Sequence, residues 1–441
     1  MKPIWYRSAH ELRALLASGE ITSAELTRIF LDRIAKLDGK QGLNAVAEPD
    51  PTAAAQAEEA DRRGLKGPLA GLPFLIKDNI DVAGLHTTAG SAALRDNIAR
   101  TDAPAVAALR KAGAVILGKT NMTEFANFTT NGMPGGYSSL GGQVRHAYDP
   151  ARNPSGSSSG SAVAVSAGLC AAALGTDTSF SVVGCATEHG ICGFKPRMGA
   201  LPQEGVVPLA HTLDSVGILA RDMRDVTDIC YAMRGVPAPD IAPLPAERMK
   251  LAVNSANRAM TSPAQLTRYA RFLKKLRDAG VTTGRVRQMP TPLMRTVMTC
   301  EFAPDLEKYL ASSGCGMKTL KEIVAFYRAR PDLTPYGITL LEAALEAQED
   351  PDKTAYARIP EERARLREAV LRELEGYDAC LVTGPTNICH FIGIPSVSVP
   401  FCMGRDGRPR SVILYGADEE RLLAAAMTAE SFAGEIRPPA C

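Results

Sequence analysis

Hydrophobic residues recur three and four apart from the start of the chain, and polar residues with capping character precede them. Ser8 and Glu11 form a capping box ahead of Leu12, Leu15 and Leu16, with Gly19 as a stop. Thr22 and Glu25 repeat the device ahead of Leu26, Ile29, Phe30 and Ile34. These patterns predict two helices, and Ala53–Arg63 predicts a third. Between Leu69 and Val82 the period changes. Short apolar runs around Gly71-Leu-Pro-Phe-Leu-Ile-Lys77-Asp78-Asn79 predict a buried strand and turn. A helix over Ala103–Gly113 leads into a strand over Ala114–Leu117. A Gly/Ser-rich stretch, Gly132–Ser161, then precedes a small-residue helix over Ala162–Leu174.

Beyond about Asp222 the texture shifts to charged amphipathic helices at Pro263–Ala279, Thr319–Arg328, Ile338–Glu349 and Pro360–Glu375. Two late apolar runs, Ala379–Thr383 and Ser396–Phe401, predict strands that return to the sheet. Short strands alternating with helices, without internal repeats, give an α/β class. The 441 residues amount to roughly three average domains by length. The returning strands instead predict one domain over 1–441, with a core at about 66–222, a helical region at about 240–375 and closing strands at about 378–415.

Composition narrows the function classes. Lys+Arg 50 against Asp+Glu 48 leaves +2, with no block of like charge. No nucleic-acid or anionic-membrane surface is expected, and the balance points to a small-molecule substrate. From Asn153 to Thr176 there is no charged residue. Its first third is Ser/Gly, short of the ~20 apolar residues of a membrane span, so the run is expected inside the protein. The ten cysteines show no CxxC pair or zinc spacing, and the N-terminus lacks a secretory apolar stretch. Reduced thiols and a cytoplasmic location follow as expectations.

Two short motifs compete for the chemistry. Gly113-Ala-Val-Ile-Leu-Gly118-Lys119-Thr120 fits GxxxxGK[ST] by letter. A phosphate loop, however, follows a strand, and here a helix precedes Gly113 and the intervening residues are strand-like. Gly156-Ser157-Ser158-Ser159-Gly160 fits the nucleophile elbow GxSxG with Ser158 as nucleophile. That elbow needs a strand before it and a late histidine as base. Turn-forming residues precede it here, and only His390 lies late enough.

The wider run from Gly71 through Asp222 resembles the amidase signature family. The matching pieces are Gly71-Leu-Pro-Phe-Leu-Ile-Lys77-Asp78-Asn79, Gly118-Lys-Thr-Asn-Met-Thr-Glu-Phe125, Pro154-Ser-Gly-Ser157-Ser158-Ser-Gly-Ser-Ala and Gly175-Thr-Asp177-Thr-Ser-Phe-Ser181. Gly193-Phe-Lys-Pro196, His211-Thr-Leu-Asp214-Ser-Val-Gly217 and Gly393-Ile-Pro-Ser-Val-Ser-Val-Pro400 continue the likeness. The resemblance implies a large mixed β-sheet core covered on both faces by α-helices. It also implies an amidohydrolase that needs neither cofactor nor metal.

By position the resemblance makes Ser181 the nucleophile, Ser157 a bridging serine after a cis peptide bond, and Lys77 the base. A hydroxyl needs an adjacent base, and lysine serves only if burial lowers its pKa, which the charge-free surroundings of Ser157 would favour. Backbone N–H groups across Thr178, Ser179, Phe180 and Ser181 would form the oxyanion hole. Asn131 and Met133 would lie on the substrate side, with Ser158 and Asp177 supporting the reacting groups. The chain departs from the family's usual Gly-Gly-Ser, reading Ser179-Phe180-Ser181, and the usual Arg and Pro that follow are replaced by Val182-Val183-Gly184-Cys185. Phe180 is expected to wall the acyl pocket.

The short segment between Leu381-Val-Thr-Gly-Pro-Thr-Asn and Gly393 suits a compact substrate, or a mouth completed by a second subunit, either a homodimer partner or a small accessory chain. Two other classes share these motifs. One is the amidase subunit of an ammonia-channelling amidotransferase, which would need partner subunits and tRNA. The other is a repurposed member of altered activity, motivated by Phe180.

Overall fold

The computed structural model describes the chain except residues 1, 255–261, 351–353, 383–385 and 441. Its strands are β1 (Val46–Pro49), β2 (Pro73–Lys77), β3 (Val115–Thr120), the short pair β4 (Tyr137–Ser138) and β5 (Gly142–Gln143), β6 (Ala172–Asp177), β7 (Cys192–Lys195), β8 (Ser215–Ala220), β9 (Lys250–Asn254), β10 (Thr282–Arg285), β11 (Ala379–Val382), β12 (Ser396–Met403) and β13 (Pro409–Tyr415). Eleven of them form one sheet in the order β1-β3-β2-β6-β8-β7-β12-β13-β11-β9-β10. The sheet is mixed: β2 runs parallel to β3 and β6, β9 runs parallel to β10 and β11, and β6, β8, β7, β12 and β13 alternate antiparallel.

The helices are α1 (Ala9–Ser18), α2 (Ser23–Leu37), α3 (Ala53–Arg62), α4 (Pro104–Lys111), α5 (Ser159–Ala167), α6 (Val183–His189), α7 (Met223–Met233), α8 (Pro263–Asp278), α9 (Met294–Ser312), α10 (Leu320–Ala329), α11 (Thr339–Glu349), α12 (Thr354–Ala357), α13 (Ile359–Glu373), α14 (Ile388–Phe391) and α15 (Glu419–Ser431). Both predicted capping boxes form, at Ser8/Glu11 and Thr22/Glu25. Strand residues alternate between two apolar clusters. Leu251, Val253, Leu381 and Leu414 join the helices of the N-terminal half and α15. Ala252, Cys380, Val382 and Tyr415 join α9, α10, α11 and α13. Successive side chains of a strand point to opposite faces, so helices cover both faces of the sheet.

The predicted helix over Ala162–Leu174 is corrected. α5 starts earlier and ends at Ala167, where Gly168 turns left-handed at φ 69°, and β6 already begins at Ala172. An uninterrupted small apolar run has no period that separates a buried helix from a buried strand. α9 went unpredicted because Pro304 lies inside it and its apolar residues do not keep to one stripe. Thr383, the expected last residue of a late strand, lies outside the described residues.

Candidate active site

β2 and β6 pair in parallel with Ile76 opposite Leu174, so their C-terminal ends lie side by side. That end of an α/β sheet is where ligands usually sit. Lys77 closes β2 fully buried, and Asp177 closes β6 fully buried. Lys77 Nζ lies 2.8 Å from Ser157 Oγ, 2.8 Å from Thr176 Oγ1 and 3.3 Å from the Thr176 carbonyl. Burial drives its pKa from the usual lysine range down to about 7, and the nearby carboxylates of Asp177 and Asp214 offset this only in part. Ser157 is held by the loop before α5, with a cis peptide bond at Gly156–Ser157. Gly175 is obligatory behind it, since a Cβ there would meet Ser158 Oγ at 2.6 Å.

Ser181 sits in the turn between β6 and α6, and Asp177 shapes that turn. Its carboxylate accepts the N–H groups of Ser181 at 3.0 Å, Val182 at 2.8 Å and Val183 at 3.1 Å. Burial pushes its pKa up, but the charge of His390 and these donors prevail and hold it at about 2. The turn is also held from the far end of the chain. Ser179 Oγ donates to Asn387 Oδ1 at 2.7 Å, and His390 Nε2 is 2.9 Å from Asp177 Oδ1. Thr178 Oγ1 donates to Asp214, which also accepts the N–H groups of Leu209 and Ala210.

A cavity of about 140 Å³ opens onto Ser181 and is lined by Gly156, Thr178, Ser179, Asn127, Leu209 and Arg295, among others. The structure thus brings Lys77, Ser157, Ser181, Thr178 and Ser179 together. Lys77 and Ser157 are hydrogen-bonded, whereas Ser181 Oγ makes no hydrogen bond to Ser157 among the described residues. Catalytic hydrogen bonds often close only when substrate is present.

Three expectations change. Of the four proposed oxyanion N–H groups, those of Thr178 and Ser179 have no acceptor among the described residues. That of Ser181 is taken by Asp177, and that of Phe180 points at His390 Nε2, 3.2 Å away. Phe180 does not wall the cavity: at φ 72° its ring turns onto His390, with centroids 4.8 Å apart. Asn131 and Met133 do not line the cavity either; Asn131 Oδ1 accepts from Arg295 Nη2 at 3.5 Å. Sequence reasoning missed Arg295, Asn387 and His390 as site residues. Only their positions in the fold reveal them.

The two decoys resolve. Gly113–Thr120 runs through strand β3, and Lys119 is buried, donating to the His86 carbonyl at 2.7 Å and to Thr87 Oγ1 at 3.0 Å. Ser158 is buried with its hydroxyl on the Thr176 carbonyl at 3.1 Å, and its N–H holds the Ser181 carbonyl at 3.2 Å. Ser158 therefore braces the turn that carries Ser181, and no histidine contacts it among the described residues.

The model of the protein family described as Amidase matches residues 25–403. A probable amidase of Arabidopsis thaliana is 30% identical over 97% of this chain and 90% of its own length. The native peptide amidase of Stenotrophomonas maltophilia superposes with a TM-score of 0.88 at 30% identity, covering 99% of both chains. A glutamyl-tRNA(Gln) amidotransferase subunit of Methylobacillus flagellatus is 41% identical, but over 55% of this chain and 49% of its own. No helix among the described residues is long and apolar enough to cross a membrane.

Proposed function

The chain belongs to the amidase family, and from that membership we propose that it hydrolyses the C–N bond of a small linear carboxamide through an acyl ester on Ser181. One observation carries the reading: a fully buried lysine, with a pKa near 7, hydrogen-bonded to a serine beside the turn that presents Ser181 to the cavity. Ser181 Oγ attacks the carbonyl carbon while its proton passes through Ser157 to Nζ of neutral Lys77. The oxyanion forms against the free N–H groups of Thr178 and Ser179. Collapse breaks the C–N bond, and the proton on Lys77 leaves with the amine. Water then attacks the ester with the same relay, giving the carboxylic acid and free Ser181.

The cavity volume suits a small acyl group. Arg295 is the one charged side chain on its wall and makes no ion pair among the described residues, so neutral or carboxylate-bearing amides fit better than cationic ones. The peptide amidase likeness spans the whole chain, and a peptide amide could enter by its terminal carboxamide with its body outside. The amidotransferase-subunit reading is weaker, since that likeness spans about half of each chain. The test is ammonia release from a panel of small amides, with mass spectrometry of the trapped protein. Label on Ser181 supports the proposal, and label elsewhere or none with every amide and a serine-reactive phosphonate overturns it.

A further inference from the structure

The chain from Thr178 to Thr187 contains no charged residue, yet the turn it forms hangs on a buried carboxylate. Asp177 can accept three backbone N–H groups strongly only while ionised, and a buried charge needs a partner of opposite sign. The partner comes from α14, more than 200 residues away: His390, fully buried, with Nε2 2.9 Å from Asp177 Oδ1. The same Nε2 also lies 3.2 Å from the Phe180 nitrogen, whose N–H points at it. A ring nitrogen holds either a proton or a lone pair, so it cannot donate to Asp177 and accept from Phe180 at once.

We propose that His390 is a positioning residue whose protonation state sets the oxyanion hole: the charged ring donates to Asp177 and releases the Phe180 N–H to join those of Thr178 and Ser179, whereas the neutral ring, with its remaining proton on Nδ1 toward Cys389 Sγ, captures that N–H at Nε2. The proposal rests on Ser181 as the nucleophile for its effect on rate, but the coupling between His390 and Phe180 stands apart from that reading.

The surroundings favour the charged ring at neutral pH. Cys389 Sγ lies 3.3 Å from Nδ1 on one side and Asp177 lies on the other. Lys195 of β7 lowers the pKa of both of these groups, with Glu419 of α15 acting in turn on Lys195, whose own ammonium is depressed by burial. Burial lowers the His390 pKa, but its contacts with Cys389 Sγ and with the Asp177 carboxylate outweigh it and raise the ring to about 9. Lys77 becomes a base above about 7 and His390 loses its proton above about 9. Acylation should therefore be fastest between these values, where Lys77 is neutral and His390 is still charged.

The test uses the full chain and a serine-reactive phosphonate, with the labelling rate followed from pH 5 to 11. The wild type should rise through about 7 and fall above about 9. His390→Asn carries no titrating ring; it should keep the rising limb, lose the falling one, and label about tenfold more slowly at pH 8. An unchanged falling limb in that variant, or none in the wild type, overturns the proposal. A purely structural role would lower the whole curve without changing its shape.

A second measurement is independent of the variant's folding and of any reactivity. In ¹⁵N-phenylalanine-labelled wild type, the Phe180 amide, assigned by its loss in Phe180→Tyr, should shift with the same midpoint as the His390 ring. A Phe180 amide that stays still between pH 8 and 10 overturns the coupling. A Ser181 that never labels, beside an amide that does shift, overturns the hydrolase reading alone.

Discussion

The two sides of the proposed triad, the base side around Lys77 and the nucleophile side around Ser181, are built in opposite ways. On the proposed base side Lys77, Ser157 and Thr176 meet, and the lysine is kept neutral by what is missing: no carboxylate among the described residues touches Nζ, and burial lowers its pKa to about 7. On the nucleophile side Asp177 is kept charged by what is present, three N–H donors and a histidine. Burial acts on both groups. It neutralises the one whose hydrogen-bond partners are uncharged and is overridden at the one held by a histidine and several N–H donors. The Lys77 side therefore depends on Ser157 and Thr176, which belong to the same run of signature motifs, and the Ser181 side on α14, from outside that run.

The strongest way to break the comparison is to remove the reacting atoms on either side. Ser181→Ala should lower turnover by about four orders of magnitude or more and abolish phosphonate labelling. Ser158→Ala should leave the label on Ser181, because the Ser158 hydroxyl is committed to the Thr176 backbone. Intact-mass spectrometry of the three proteins decides it, and a label that disappears with Ser158 would move the nucleophile to the elbow motif.

Lys77→Met should cost about three orders of magnitude in kcat/KM while keeping side-chain bulk, since one general base typically supplies 10²–10⁴-fold. Only neutral lysine accepts a proton, so the wild-type rate should fall about tenfold for each pH unit below 7. The variant's small residual rate should lack that slope. A variant that kept the slope would show that another group titrates.

Legibility follows the same division. Lys77, Ser157 and Ser181 stand in continuous motifs and could be singled out by position; the structure hydrogen-bonds Lys77 to Ser157 and sets Ser181 on the cavity wall, while their roles remain those of the proposal. The α/β class was readable from the alternation of strands and helices, and the sheet covered on both faces from the family resemblance. The direction of the Phe180 ring, away from this cavity and onto His390, was not readable, because it depends on backbone φ and the letter code does not carry a φ of 72°. His390 appeared in the sequence only as a lone late histidine, weighed as the base of a different motif. Its partner is Asp177, and no local pattern links residues that far apart. Arg295 was equally hidden, in a helix whose stripe Pro304 and scattered apolar positions obscure.

Arg295 allows a finer test on the cavity wall. Arg295→Gln should raise KM for a carboxylate-bearing amide by about three- to tenfold, because an exposed cation contributes less than a buried charge-assisted hydrogen bond. KM for a neutral amide of equal size should stay within about twofold, and kcat should change little for either. Equal losses on both substrates would mean that Arg295 acts through Asn131 and the shape of the mouth.

The smallest expected effect concerns Phe180, whose aromatic ring at the nucleophile looked in sequence like a filter for acyl size. In the structure the ring faces His390, outside the wall of the cavity. Phe180→Gly should therefore leave the relative rates on acetyl, butyryl and phenylacetyl amides within about threefold of the wild type. Stability should also change little, from two opposed causes. A left-handed φ costs a non-glycine residue ~1–2 kcal/mol, which glycine removes. The half-buried ring contributes part of the ~1.5–3 kcal/mol typical of a fully buried large apolar side chain, which glycine loses. The two nearly cancel, so urea unfolding should move by no more than about 1 kcal/mol. A large gain on phenylacetyl amide alone would restore Phe180 as a wall of the pocket. A large loss on all three amides would instead mean that its contact with His390 holds the turn, moving Phe180 into the group of supports that α14 already supplies.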